Sequence, residues 1–156
     1  MSVLRPIVVL LTFGVALPVL AQLAPNAPKD QPVGLQEDQF AAFEQAIAPH
    51  VAKARATYPE ARQRFLIGLP NGHTFFVTTR LHDKQGRWEQ AFIRVSSIAD
   101  GKIHGRIASK LTVVTDIRFG QVYSLPESDL LDWLIAKPDG TEEGNVVGKF
   151  LDTYRP

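Results

Sequence analysis

Cysteine is absent from this chain of 156 residues. That excludes disulfides, thiol nucleophiles, cysteine metal sites and a lipid anchor on an N-terminal thiol. The fold must therefore rest on a hydrophobic core alone. An excess of one charge is also lacking: 17 Lys and Arg stand against 16 Asp and Glu. A nucleic-acid binder needs net positive charge to release counterions from phosphate, so the sequence argues for no nucleic-acid partner. A Gly-rich phosphate loop is missing, as is a nucleophile elbow. None of the four histidines, His50, His73, His82 and His104, forms a pair at metal-ligand spacing. The sequence implies no cofactor and no metal.

The most telling feature present is the N-terminus. A short positive region, the terminal amine plus Arg5, precedes an apolar run from Ile7 to about Leu20. The run is shorter than the roughly 20 residues a spanning helix needs, and Gly14 and Pro18 interrupt it. Val19-Leu20-Ala21 puts small or aliphatic residues where a signal peptidase reads. Residues 1–21 are thus expected to be a signal peptide cut after Ala21, with no stable membrane anchor left behind. The expected location is periplasmic or secreted. Bacterial periplasm fits best, because small extracellular domains of eukaryotes lean on disulfides. The cut removes Arg5 and no acid, which leaves 16 basic and 16 acidic residues. Those charges are uneven. Residues 50–118 hold 12 basic and 5 acidic residues, and residues 119–156 hold 3 and 7. Two segments packed side by side would neutralise each other; the alternative is a functional patch for an anionic ligand.

Residues 22–35 carry three prolines and few large apolar residues, so they read as a disordered tether. Residues 36–156 read as one domain. A helix should start near Gln36, with Glu37 and Asp38 at its positive end. Phe40, Phe43 and Ile47 recur at helical spacing. Pro49 predicts a kink or restart, and Pro59 an end or a break. Phe65 to Leu69 reads as a short strand closed by Asn71-Gly72. His73–His82, Arg87–Ile98 and Lys102–Lys110 read as a β-meander. If His82 faces Arg87, Leu81 pairs with Trp88 and Val77 with Phe92. If Ala99 faces Lys102, Ile98 pairs with Ile103 and Arg94 sits opposite Ile107. The buried face then collects Val77, Leu81, Trp88, Phe92, Ile98, Ile103 and Ile107. A fourth strand is expected over Gly120–Leu125. Ser124-x-x-Glu127 has capping-box spacing, which predicts a helix from Glu127 to about Leu134. Pro138-Asp139-Gly140 is a turn, and Asn145–Leu151 a final strand. The resulting fold class is α+β. An N-terminal helix packs on an antiparallel meander of about five strands, with a short helix before the last strand.

Four pieces carry a resemblance: Ala52 to Pro59, Gly101 to Ile107, Phe119-Gly120-Gln121, and Asp132-Trp133 with Gly144 and Gly148 behind it. In this order, from roughly Phe40 to the C-terminus, the chain resembles the YegJ-like family of small bacterial proteins, a domain of unknown function. The strand after Arg106 departs from the family pattern, reading Ala108-Ser109-Lys110 with no Pro. The resemblance supports the fold and implies no activity.

Candidate functional residues are few. Asp129 and Asp132, three apart on the expected helix, could act as paired carboxylates, although acids at a helix start are more often dipole partners. Asp132 beside Trp133 could mark a binding groove, against the ordinary reading of a core Trp with its N–H satisfied locally. Arg80, His104 and Arg106 complete the candidate binding set. The functional expectation is a small exported binding or protective module without catalysis, acting on an unknown protein or envelope partner. The alternative is a cell-envelope enzyme using carboxylate or His acid–base residues.

Overall fold

The computed structural model describes residues 37–155. The expected signal peptide and tether lie outside the described residues. One long helix, α1 (Glu37–Ile67), precedes a six-stranded antiparallel sheet and a short helix, α2 (Val146–Leu151). The strands are β1 (Thr74–His82), β2 (Trp88–Ala99), β3 (Lys102–Ile107), β4 (Val122–Pro126), β5 (Asp132–Ala136) and β6 (Glu142–Gly144). Their order in the sheet is β4-β3-β2-β1-β5-β6. The architecture is α+β, with six strands rather than about five. The short helix follows the last strand instead of preceding it.

α1 runs through both Pro49 and Pro59. Phe43, Ile47, Ala54, Tyr58 and Ala61 form one buried stripe that spans both prolines. Burying that stripe outweighs a loss of about 3 kcal/mol at each Pro. Phe65 to Ile67 form the last helical turn rather than a strand. Gly68, at φ 117°, closes the helix by donating its N–H to Arg64 O at 3.1 Å. The turn at Asn71-Gly72 stands as expected, with the His73 N–H on Pro70 O at 3.0 Å.

The first hairpin differs from its expected register by one residue. His82 pairs with Trp88, Leu81 with Glu89 and Val77 with Ile93. The cause is Asp83. Its Oδ1 accepts the Gln85 and Arg87 N–H groups, and its Oδ2 accepts Arg87 Nε at 2.7 Å. This clamp holds a five-residue loop where four had been expected. One residue flips every side chain to the opposite face. Ala91, Ile93 and Val95 therefore join Phe75, Val77 and Leu81 in the main core under α1. Trp88 and Phe92, expected there, are half-buried on the other face. Phe92 packs beside Phe76, Leu134 and Ala136.

The second hairpin keeps its expected start, with Ala99 facing Lys102 and Ile98 facing Ile103. A bulge between Val95 and Ser97 then shifts the pairing. Arg94 lies opposite Arg106 rather than Ile107, and Val95 opposite Gly105 rather than Arg106.

The expected helix after Glu127 is a single 3-10 turn, Glu127–Asp129, followed by β5. Ser124 makes no cap; its hydroxyl meets His104 Nδ1 at 2.7 Å. All five residues of β5 are buried. A strand covered on both faces reads as a continuous apolar run, which periodicity cannot tell from a helix segment. Residues 146–151, expected as a strand, form α2.

Part of the uneven charge meets as expected, at the end of α1. Arg62 pairs with Glu127 at 2.8 Å and Arg64 with Glu143 at 2.6 Å. Both pairs fasten the basic helix to the acidic C-terminal segment.

Candidate functional site

Asp132 and Trp133 sit at the junction of β5, α1 and α2. The indole N–H of Trp133 donates to Ala54 O at 3.1 Å and Thr57 Oγ1 at 3.0 Å. The ring is turned inward and packs beside Phe75, with centroids 6.5 Å apart. Gly144 lies over it at φ +77°, where a Cβ would strike the Trp133 carbonyl and ring.

Asp132 is 1% exposed. Its Oδ1 accepts the Trp133 N–H at 2.8 Å and its Oδ2 the Val147 N–H at 2.6 Å. Burial pushes the carboxyl above its ordinary range, while the N–H groups of Trp133, Val147, Val146 and Gly148 pull it back. The carboxylate fastens the start of α2 to the sheet.

An open cleft of about 640 Å³ lies next to this junction, within the range of small-molecule sites. His50, Lys53, Thr57, Trp133, Lys149 and Phe150 line it. His50 stacks on Phe150 at 4.2 Å between ring centroids. Lys149 Nζ donates to Gly144 O at 2.8 Å. The lining includes the ammonium groups of Lys53 and Lys149 and no acid, so it suits an anionic group better than a cation.

The other candidates lie elsewhere. Arg80 on β1 pairs with Glu44 of α1, and its guanidinium stands 4.7 Å from the Trp88 ring and 5.6 Å from that of Phe40. It locks the N-terminal half of α1 to the sheet. His104 and Arg106 lie on β3, with β2 and β1 between them and β5. Arg106 donates to Gly120 O at 2.9 Å. Asp129 is exposed and Asp132 is not, so the two do not form a carboxylate pair on one helix face. The five candidate binding residues thus fall into three places: Asp132 with Trp133, Arg80 alone, and His104 with Arg106.

Two further carboxylates were not singled out in the sequence. Glu89 is buried and accepts the N–H groups of Thr112, Val113 and Val114, as well as the Thr112 hydroxyl. Burial opposes its charge, but these donors outweigh the penalty and hold it below its usual range. Asp83 behaves likewise: burial opposes its charge, and the Arg87 and Gln85 donors prevail. Asp83 had a readable signal, a short acid three residues before Gly86 in a hairpin loop. Glu89 had none, because its partners lie more than twenty residues away.

Among the described residues, no three His, Asp or Glu side chains come together as a metal-binding group. Among the same residues, no helix is long and apolar enough to cross a membrane. No family model and no solved structure matches the chain. The chain is similar to the Uncharacterized protein YegJ of Escherichia coli (strain K12), at 27% identity over 81 residues, 52% of either chain. It thus spans about half the length of that curated relative. The match supports the resemblance, read from the motifs above, to a YegJ-like family of unknown function.

Proposed function

We propose that the chain is a small exported module that binds a partner without catalysis, in the periplasm or outside the cell. One observation carries this reading. The buried carboxylates Asp83, Glu89 and Asp132 are all engaged by backbone N–H groups. A general acid needs a proton aimed at a reacting atom. Asp132 has the burial and the raised pKa of such an acid, but its oxygens are occupied in fastening α2. The export half of the proposal rests on the Arg5 to Ala21 pattern. N-terminal sequencing of the exported protein should begin at Gln22. Retention of residues 1–20 would replace the exported reading with an anchored one. The binding half is tested by affinity capture from periplasmic extract followed by size exclusion. A stoichiometric complex is expected. Turnover lost in Asp132→Asn, with folding intact, would favour the rival reading of an envelope enzyme.

A further inference from the structure

The outward face of the β2–β3–β4 end carries an unbalanced row of cations. Along β3, Lys102, His104 and Arg106 all point outward, since Ile103, Gly105 and Ile107 are buried. Arg94 of β2 lies directly opposite Arg106, and both are exposed. Like charges directly opposite across strands are destabilising unless something neutralises them. Among the described residues, neither arginine has a carboxylate partner. The outward strand positions alongside are Ser97 and Ala99 on β2, and Val122, Ser124 and Pro126 on β4. None is acidic; the acids nearest in sequence are Asp100, in the β2–β3 turn, and Glu127, which pairs with Arg62 of α1.

Beyond this row lies a free sheet edge. β4 ends the strand order, with only β3 beside it. Val122 on that edge is 63% exposed, and Phe119 just before it is 43% exposed. An open edge presents unpaired N–H and C=O groups that accept a further strand. We propose that the β4 edge and the neighbouring basic row form a docking site for an extended acidic polypeptide segment. The segment adds as a seventh strand, with Asp or Glu at alternate positions. This inference rests on the binding-module reading and names the partner's chemistry.

The spacing selects that occupant. Outward side chains along β3 recur every two residues, about 6.8 Å apart, and so do those of any added strand. Two strand spacings, roughly 10 Å, separate β3 from the newcomer. The intervening Val122 and Ser124 are short and uncharged, so arginine and glutamate side chains can meet above them. Ser124 also orients His104 through the 2.7 Å contact to Nδ1. A lipid surface or a free phosphate would use the cations but neither the edge nor the two-residue period.

The test uses the full chain from Gln22 and three probes. One is a ten-residue peptide alternating Glu and Thr. The second has the same composition with the Glu residues in one block. The third is a vesicle containing anionic lipid. Binding is read by calorimetry and by amide shifts. The alternating peptide should bind, shift the β4 amides and weaken with added salt. The block peptide should bind at least about tenfold more weakly, a difference of about 1.4 kcal/mol. Arg94→Glu with Arg106→Glu should lose about tenfold or more. Val122→Glu, a milder change at an exposed site, should weaken binding in the same direction. Lys149→Glu, in the cleft beside α2, should leave it unchanged, and urea melts confirm that each variant folds. Equal binding of both peptides, shifts confined to the cleft, vesicle binding alone, or no binding would each overturn the proposal. If a captured partner still binds Arg94→Glu/Arg106→Glu, docking at β4 fails while the binding module stands. If no partner is captured by the unaltered chain, the module reading itself fails.

Discussion

Asp132 accepts the Val147 N–H at 2.6 Å and thereby joins the start of β5 to the first turn of α2. Val147 in turn packs with Phe43 and Ile47, so the same contact holds α2 against α1. A buried carboxylate here does what a disulfide does elsewhere: it ties together segments remote in the chain. Asp132→Ala should leave the Trp133 and Val147 N–H groups without their acceptor, at a cost of more than about 2 kcal/mol. Asp132→Asn retains one acceptor oxygen and should cost less. Urea melts of the two variants check the order. Equal losses would mean that volume, not hydrogen bonding, is what Asp132 supplies.

The same residue sets a pH dependence. Burial raises its folded pKa, so the folded state holds the proton longer than the unfolded chain, whose value is about 3.9. Its contribution to stability is full below that value and is lost as pH rises through the folded pKa. Glu143 acts in the opposite sense. Arg64 and Lys137 hold it down to about 2, so its contribution exists above the unfolded value and is lost as pH falls toward 2. Asp83 and Glu89, also lowered, add to that acid limb. Stability melts from pH 2 to 7 should show Asp132→Asn removing the decline above pH 4 while leaving the acid limb in place. An unchanged decline would assign it to another group.

Glu89 should be the anchor of the loop after β3. Glu89→Ala strips the acceptor from Thr112, Val113 and Val114. The expected loss is about 1–3 kcal/mol. Amide exchange in residues 111–114 should accelerate more than in β3. Uniform acceleration across the sheet would show a global effect instead.

The parts of the fold legible in the sequence are those set by local chemistry. Asn71-Gly72, Asp100-Gly101 and Pro138-Asp139-Gly140 announce turns through residues that tolerate φ above zero or fix it near −65°. The Ile98–Ile103 pairing followed from the tight turn beside it. What failed depended on contacts far along the chain. Pro49 and Pro59 would break an isolated helix, and the packing of α2 against Phe43 and Ile47 and of the sheet against Ala54 to Ala61 overrides them. Residues 132–136 read as apolar without period because both faces are covered. The bulge after Val95 and the Asp83 clamp each shift a register by a single residue, and that is enough to exchange Phe92 for Ile93 in the core. Of the candidate site, Trp133 and its inward N–H were readable as a core Trp. The role of Asp132 is hidden, because the pattern over Asn145–Leu151, which holds its partner Val147, reads as a strand.

The corrected register gives its own test. Ile93 is fully buried in the main cluster, whereas Phe92 is half-buried on the opposite face. Ile93→Ala should cost about 2–5 kcal/mol, the range for a core aliphatic. Phe92→Ala should cost less than Ile93→Ala despite the larger side chain removed. Urea melts decide it, and the reverse order would restore the four-residue loop and the opposite parity.

Gly105 tests the bulge. It is buried between Val95 and Tyr123 on the neighbouring strands. Its φ is not positive, so a side chain is barred by space and not by backbone conformation. A Cβ there would run into the Arg94 carbonyl and the Ile93 methyl group, both part of the strand that bulges. Backbone cannot rotate away as a flexible side chain can. Gly105→Ala should therefore destabilise by about 1–3 kcal/mol, the usual range for overpacking, with the larger effect expected because the obstacle is main chain. Gly101 supplies the comparison. It sits at φ +70° in the β2–β3 turn with open space around its Cβ position, so alanine there meets conformational strain alone, about 1–2 kcal/mol. Thermal melts of both variants should rank Gly105→Ala as the more damaging. If Gly101→Ala proves worse, the close approach of β2 and β3 at the bulge is looser than the structure shows.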